Sequence, residues 1–362
     1  MTRIPRWCFS VLVAAATGCA DDSGSGSGQD TESEPTGGST VGGGTVAGDA
    51  TVADVTDGGP SDSMPDDDND DDDDSPTGNG FPEPALDDCI TDGSAGEHTF
   101  SCGGLTFDLS LPAECLSSAC GLIVDVHGRT VSGKIQDNNT NMRALGAERG
   151  YIVVQPNAAP GVPDSNWSDA DDAPVLDFIQ RTIAAFHVDD ARVHMTGFSQ
   201  GGFMTWRLAC RNSELFASVA PSAACGFESG NPDCDIEGGE LPSTELPILY
   251  SHGTMDTVIN FSCAAPRREA LAAHYALDPP ETIAEGNGHR WFRHAGEGDM
   301  VLEFIEHDYR ASSDVLGGHC IVGGNDPGTE PGQLVPISCQ DEPAFTWGRV
   351  VIDFFEAHPK KR

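Results

Sequence analysis

The chain has 362 residues, with 58 Asp and Glu against 19 Lys and Arg, a net charge of −39. That balance excludes a general nucleic-acid binder, which needs clustered cations to neutralise phosphates, and a protein held on anionic lipid by charge alone. No apolar run reaches the ~20 residues of a membrane-spanning helix, and 12 cysteines are many for a cytosolic enzyme.

From the N-terminus, Arg3 and Arg6 precede the apolar run Trp7 to Ala16, which Thr17-Gly18-Cys19 closes. A basic start, about ten apolar residues and small residues before a cut describe an export signal over 1–19. The tetrad Ala16-Thr17-Gly18-Cys19 resembles a bacterial lipobox, which implies Cys19 as a lipidation site. Any membrane contact is then expected only through that anchor, leaving the chain on the cell surface or facing the periplasm, with free secretion as the alternative. Residues 20–84 hold 18 acids and no Lys or Arg. Ser, Gly, Thr, Asp and Pro dominate them, too few apolar side chains to offset ordering entropy, so a disordered linker is expected. The acidic run Asp66 to Asp74 lacks the fixed glycine turn and spaced ligands of a calcium loop, and reads as loose ion condensation.

Residues 85–362 are long enough for one large core. Short β-branched runs at 122–126, 151–154, 192–196, 246–251 and 301–305 alternate with helical spacing at 139–148 and 175–185. A closing amphipathic helix is expected at 350–357. This alternation predicts an α/β fold with a mostly parallel central sheet and helices on both faces. Ten cysteines remain in this part: Cys89, Cys102, Cys115, Cys120, Cys210, Cys225, Cys234, Cys263, Cys320 and Cys339. An even number in an exported chain reads as a disulfide framework. Sequence proximity suggests Cys89–Cys102, Cys115–Cys120, Cys225–Cys234 and Cys320–Cys339, with Cys210–Cys263 bridging more distant segments; swaps among Cys210, Cys225, Cys234 and Cys263 stay open. With no CxxC pair, structural zinc is not expected, and no other metal or organic cofactor is implied.

Gly197-Phe198-Ser199-Gln200-Gly201 is a G-x-S-x-G motif between a strand and a helix, the setting that raises a serine hydroxyl above a sheet. A nucleophilic serine needs a base, and the base an orienting acid, following it in the order acid then histidine. Asp256, after the run ending at Ser251, and His319, after Gly317-Gly318, fit that order. His252, His307 and Asp314 compete less well: the first reads as structural, the second precedes the glycine pair and lacks its loop setting, and the last reads as a local cap. The oxyanion donors expected are the backbone N–H groups of Gln200 and Arg129, with Thr130 as second choice for the latter. His127 is expected to bond loop backbone. Trp167, Trp206 and Trp291 are candidates to line an acyl or aromatic subsite.

With these residues in place the chain resembles the secreted polyhydroxybutyrate depolymerase-like and feruloyl esterase-like family of α/β-hydrolases. The resemblance rests on Val126-His127-Gly128, Asp171-Asp172 to Phe178, Val188-Asp189 to Val193, Thr196 to Gly202, His252 to Asp256, Gly317-Gly318-His319 and Asp353-Phe354-Phe355. Two departures border the site: Arg129-Thr130 after His127-Gly128, and Cys320-Ile321-Val322 after His319. The resemblance implies a serine carboxylic-ester hydrolase acting on polymer-linked or small esters. A serine peptidase on the same scaffold and a non-catalytic surface lipoprotein are the alternatives.

Overall fold

The structure, a computed structural model, describes residues 80–225 and 242–361. They belong to the second of two compact units, Asp74–Arg362. The expected signal 1–19 with Cys19, most of the expected linker 20–84, and Cys234 lie outside the described residues. Phe81 packs edge-on against His187 at 5.9 Å, and the His187 Nε2–H donates to the Glu83 carbonyl at 3.0 Å. Packing therefore starts a few residues inside the stretch assigned to the linker.

Among the described residues, ten strands form one sheet: β1 Gly96–Cys102, β2 Leu105–Leu111, β3 Gly121–Val126, β4 Tyr151–Asn157, β5 Val193–Phe198, β6 Ser218–Ser222, β7 Ile248–Gly253, β8 Glu281–Gly286, β9 His289–Ala295 and β10 Val301–His307. Their spatial order is β1-β2-β4-β3-β5-β6-β7-β10-β9-β8. The six central strands run parallel, and antiparallel hairpins flank them on both sides. Every residue of β3 and of β5 is buried, as expected of strands covered on both faces.

Side chains alternate between two cores. On β3, Leu122, Val124 and Val126 enter one cluster and Ile123 the other. The first is capped by α3 (Asp172–Ala185), α4 (Gln200–Arg211) and α5 (Ala264–His274). The second is capped by α1 (Gly133–Thr140), α2 (Met142–Glu148) and α6 (Trp347–Ala357). Phe107 of β2 stacks on Phe178 of α3 at 4.0 Å. Each such buried ring contributes about 1.5–3 kcal/mol. Asp172 at the start of α3 accepts from both Arg207 and Arg211 of α4.

The single helix expected over 139–148 is two helices, because Asn141 adopts a left-handed conformation (φ 54°) that ends α1 and starts α2. Cys89–Cys102, Cys115–Cys120 and Cys320–Cys339 are paired as proximity suggests. The other two suggested pairings are corrected: Cys225 bonds Cys263, so neither Cys225–Cys234 nor Cys210–Cys263 exists. The cause is topological. The parallel neighbours β6 and β7 end at the same edge, so the loops that follow them meet although 38 residues separate the two cysteines. Cys210 is also disulfide-bonded.

Candidate active site

Ser199 sits at the turn between β5 and α4 with φ 55° and ψ −119°, outside the regions a non-glycine residue ordinarily occupies. Neighbouring chain holds it there. Its N–H donates to the Ser222 carbonyl at the end of β6 (2.9 Å), and its carbonyl accepts from Phe203 N–H (3.0 Å). The flanking residues must be small, since a Cβ on Gly201 would lie 2.1 Å from the Val126 carbonyl oxygen. The start of α4, whose first N–H groups have no partner within the helix, lies directly after the serine.

Asp256 and His319 come from loops after β7 and β10, which pair in parallel and so end at the same edge as β5. The loops are laced together by Gly318 N–H to the Met255 carbonyl (2.8 Å), Thr257 Oγ1–H to the Val315 carbonyl (2.6 Å) and a bridge between Asp256 and Gly317. Gly317 has φ 54° and approaches so closely that a Cβ there would meet the Met255 carbonyl oxygen at 2.4 Å.

These elements bring Ser199, His319 and Asp256 into one hydrogen-bonded line. Ser199 Oγ lies 2.9 Å from His319 Nε2, and His319 Nδ1–H donates to Asp256 Oδ2 at 2.7 Å. All three residues are buried, Ser199 to 8% exposure. Phe198, immediately before the serine, packs its ring on His319 at 4.8 Å. Asp256 Oδ1 accepts from Val258 N–H (2.8 Å) and Ile259 N–H (2.7 Å). Burial pushes the Asp256 carboxyl upward, but hydrogen bonds from His252 and His319 outweigh it and hold the group well below the usual carboxylate range. It is an anion at neutral pH.

The loop after β3 lies across the serine: a Cβ on Gly128 would stand 3.2 Å from Ser199 Cβ. His127 Nδ1–H donates to the Gly128 carbonyl (2.6 Å), and its Nε2 accepts from Ala158 N–H (3.1 Å). Burial pushes the His127 ring down to about 4, so it stays neutral and both bonds persist. The Gly128–Arg129 peptide is planar and trans, so Arg129 N–H points opposite to the anchored carbonyl. Thr130, the second choice as donor, has its N–H committed to the Ser165 carbonyl at 2.9 Å. The Gln200 side chain ties this corner to the next loop, donating to Asn166 Oδ1 (3.0 Å) and accepting from Trp167 N–H (3.1 Å).

Of the three tryptophans, only Trp167 borders the site. It is 6% exposed, and its indole N–H donates to the His127 carbonyl at 2.8 Å. Trp206 does not line a subsite: it is wholly buried on α4, edge-on to Tyr250. Trp291 does not either, because β9 lies four strands from β5 and its indole N–H is held by Glu303. Periodicity could have placed Trp206, one turn beyond the buried Gly202 on the same helix. The residue underrated from sequence is His252, whose Nε2 approaches the far side of Asp256 Oδ2 at 3.4 Å. Its spacing of four from Asp256 was the available signal.

Residues 164–305 match the phospholipase/carboxylesterase family model. The chain is 27% identical over 143 residues to a bifunctional acetylxylan esterase/xylanase of Neocallimastix patriciarum, covering 39% of this chain and 20% of that protein. It is 25% identical over 172 residues to a poly(3-hydroxyoctanoate) depolymerase of Pseudomonas fluorescens, covering 44% and 60%. It is 29% identical over 140 residues to a poly(3-hydroxybutyrate) depolymerase of Ralstonia pickettii, covering 34% and 28%. The matches thus span a fifth to three-fifths of those relatives' lengths. Among solved structures, an acetyl xylan esterase from Aspergillus awamori aligns with a TM-score of 0.45 at 18% identity, over 56% of this chain and 87% of that one.

Proposed function

We propose that this chain, whose fold is that of the α/β-hydrolases, is an exported serine hydrolase of carboxylic esters, with Ser199 as nucleophile, His319 as general base and Asp256 as the orienting acid. The observation that carries this reading is the line of hydrogen bonds from Ser199 Oγ through His319 to Asp256 at the strained elbow. Ser199 Oγ attacks the ester carbonyl carbon while its proton passes to His319 Nε2. Asp256, kept anionic, stabilises the imidazolium. Negative charge on the former carbonyl oxygen is met by Gln200 N–H at the start of α4 and by Arg129 N–H. His319 then gives its proton to the departing alcohol oxygen, and the acyl group remains on Ser199. A water, deprotonated by His319, releases the acid and restores the serine.

The substrates favoured are uncharged esters, either polymer-linked as in hydroxyalkanoate oligomers and acetylated or feruloylated polysaccharide, or small. Residues 85–362 carry 40 acids against 17 Lys and Arg, which repels polyanions. Met255, Val258 and Val315 stand exposed on the two loops that bring Asp256 and His319. Export through the signal 1–19 with a lipid on Cys19 is supported by the sequence pattern and by the disulfides, which persist in oxidising compartments.

Turnover of p-nitrophenyl acetate, with Ser199→Ala as control, tests the central reading. The parent should hydrolyse the ester and be labelled by a fluorophosphonate, and the variant should do neither; turnover retained by Ser199→Ala refutes it. A panel of methyl ferulate, acetylated xylan and hydroxybutyrate oligomers ranks the esters. Incorporation of labelled palmitate that persists in Cys19→Ala would refute the anchor.

A further inference from the structure

The triad accounts for one side of Asp256. On the other side, Asp256 Oδ2 faces His252 Nε2 at 3.4 Å, and both side chains are wholly buried. His252 Nε2 also lies 2.9 Å from the Ile259 carbonyl oxygen, which only accepts, so Nε2 carries the ring proton. The same Ile259 donates its own N–H to Asp256 Oδ1. In the neutral ring the remaining nitrogen, Nδ1, has a lone pair. The Tyr250 hydroxyl, 2.9 Å away and wholly buried, donates to it. The tautomer of His252 is thereby fixed from both ends.

The surroundings leave these groups no alternative partner. Tyr250 packs against Trp206 and Phe304. Phe261 covers the His252 ring edge-on at 5.9 Å. The titratable and charged groups facing the pair are Asp256, His307 from β10 and Arg267 from α5. Burial pushes the His307 ring down to about 3, so it adds no positive charge near His252 above pH 4. Without His252, Asp256 Oδ2 would keep His319 as its one side-chain donor, with freedom to swing on the turn formed by Val258 and Ile259.

We propose that Tyr250 and His252 are positioning residues that form a second arm on Asp256. This arm fixes the carboxylate against the loop so that its Oδ2 lone pair is aimed at His319 Nδ1. Asp256 Oδ2 thus faces two imidazoles: His319, which donates to it, and His252, 3.4 Å away, whose N–H goes to the Ile259 carbonyl and whose ring is anchored by Tyr250. The inference rests on the ester-hydrolase reading and deepens it.

The test compares His252→Leu, His252→Gln and Tyr250→Phe in the full chain, with kcat expressed per serine labelled by a fluorophosphonate so that misfolded protein is not counted. Misaiming of a catalytic group costs up to about a hundredfold in rate. His252→Leu should therefore lose about ten- to a hundredfold in kcat with KM within about twofold. Its acidic limb of kcat/KM should move up by about one pH unit, because the carboxylate charge then serves His319 alone. His252→Gln, which places an amide N–H near the position of Nε2, should recover most of the rate and return the limb. Tyr250→Phe should fall between, and it carries the test if His252→Leu does not fold. A rate per labelled serine and an acidic limb both equal to the parent in His252→Leu, or in Tyr250→Phe should the former not fold, overturn the proposal. Turnover retained by Ser199→Ala would sink the underlying reading instead, so the two failures are distinct.

Discussion

Replacing Asp256 by Asn keeps the size of the side chain and removes its charge. The carboxylate has two N–H donors on Oδ1 (Val258 and Ile259, at 2.8 and 2.7 Å) and two imidazoles on Oδ2 (His319 at 2.7 Å, His252 at 3.4 Å). Backbone donors cannot turn away, so the Asn oxygen must stay toward them and its NH2 must face His319. His319 can accept there only by moving its proton from Nδ1 to Nε2. That proton then points at Ser199 Oγ, 2.9 Å away, and the base is in its donor form. The same wrong-tautomer substitution in an unrelated serine protease costs about 10⁴ in kcat, equivalent to about 5.4 kcal/mol of transition-state stabilisation. Initial rates on p-nitrophenyl acetate should show that loss in kcat with KM little changed, and fluorophosphonate labelling should slow in step. A loss smaller than about tenfold would mean that Asp256 does not set the tautomer of His319, and the reasoning fails. The substitution also reads out in stability. The folded carboxyl titrates below its ordinary 3.8, so its contribution is present above that pH and lost as pH falls through the lower folded value. The Asn variant should lack this acid loss.

Three further outcomes are expected. Substituting Cys225 and Cys263 by Ser should lower unfolding stability by about 4 kcal/mol, the loop-closure value for a separation of 38 residues; non-reducing peptide maps that join Cys225 to Cys234 would contradict the pairing. Burial raises the Asp125 carboxyl to about 6, against hydrogen bonds from Gln136, Thr140 and Gln155 that favour its anion. The folded state therefore holds the proton more tightly than the unfolded chain, and stability should fall by about 3 kcal/mol as pH rises from about 4 to about 6; urea midpoints flat across that window in the parent would refute this. Trp206→Ala should cost about 3–5 kcal/mol of stability with KM unchanged, whereas a raised KM at unchanged melting temperature would return Trp206 to the substrate site.

The parallel centre of the sheet was legible because its strands are continuous apolar runs, and the elbow because G-x-S-x-G lies between a strand and a helix. The edges were not. β8 is mostly exposed and β9 partly so, and both carry charged residues, so no apolar run marks them. The Asn287-Gly288 pair between them, both at positive φ, was the hairpin signal to weigh. β6 was hidden by Pro221 within a five-residue strand. Chain order proposed Asp256 and His319 from the loops after two strands, but their mutual approach depends on β7 and β10 being neighbours, which order along the chain does not specify. The disulfide between Cys225 and Cys263 was missed for the same reason. His252 looked structural because a histidine on a buried strand usually is; its bond to Tyr250 joins alternate residues of one strand, a contact that periodicity does not single out.

The line that joins Ser199 to His319 crosses 120 residues of sequence, and α6, which covers one face of the same sheet, begins only at Trp347. On the proposed mechanism, a chain made only as far as β10 would hold the elbow serine without the histidine that takes its proton. On that mechanism, reactivity toward esters would be withheld until the segment carrying His319 has been made, and copies truncated before it would carry an inert hydroxyl. A nick in the loop between β10 and His319 would leave the sheet's parallel strands intact but cut the direct covalent path to His319, whose position would then depend on the Cys320–Cys339 disulfide and the Gly318–Met255 hydrogen bond.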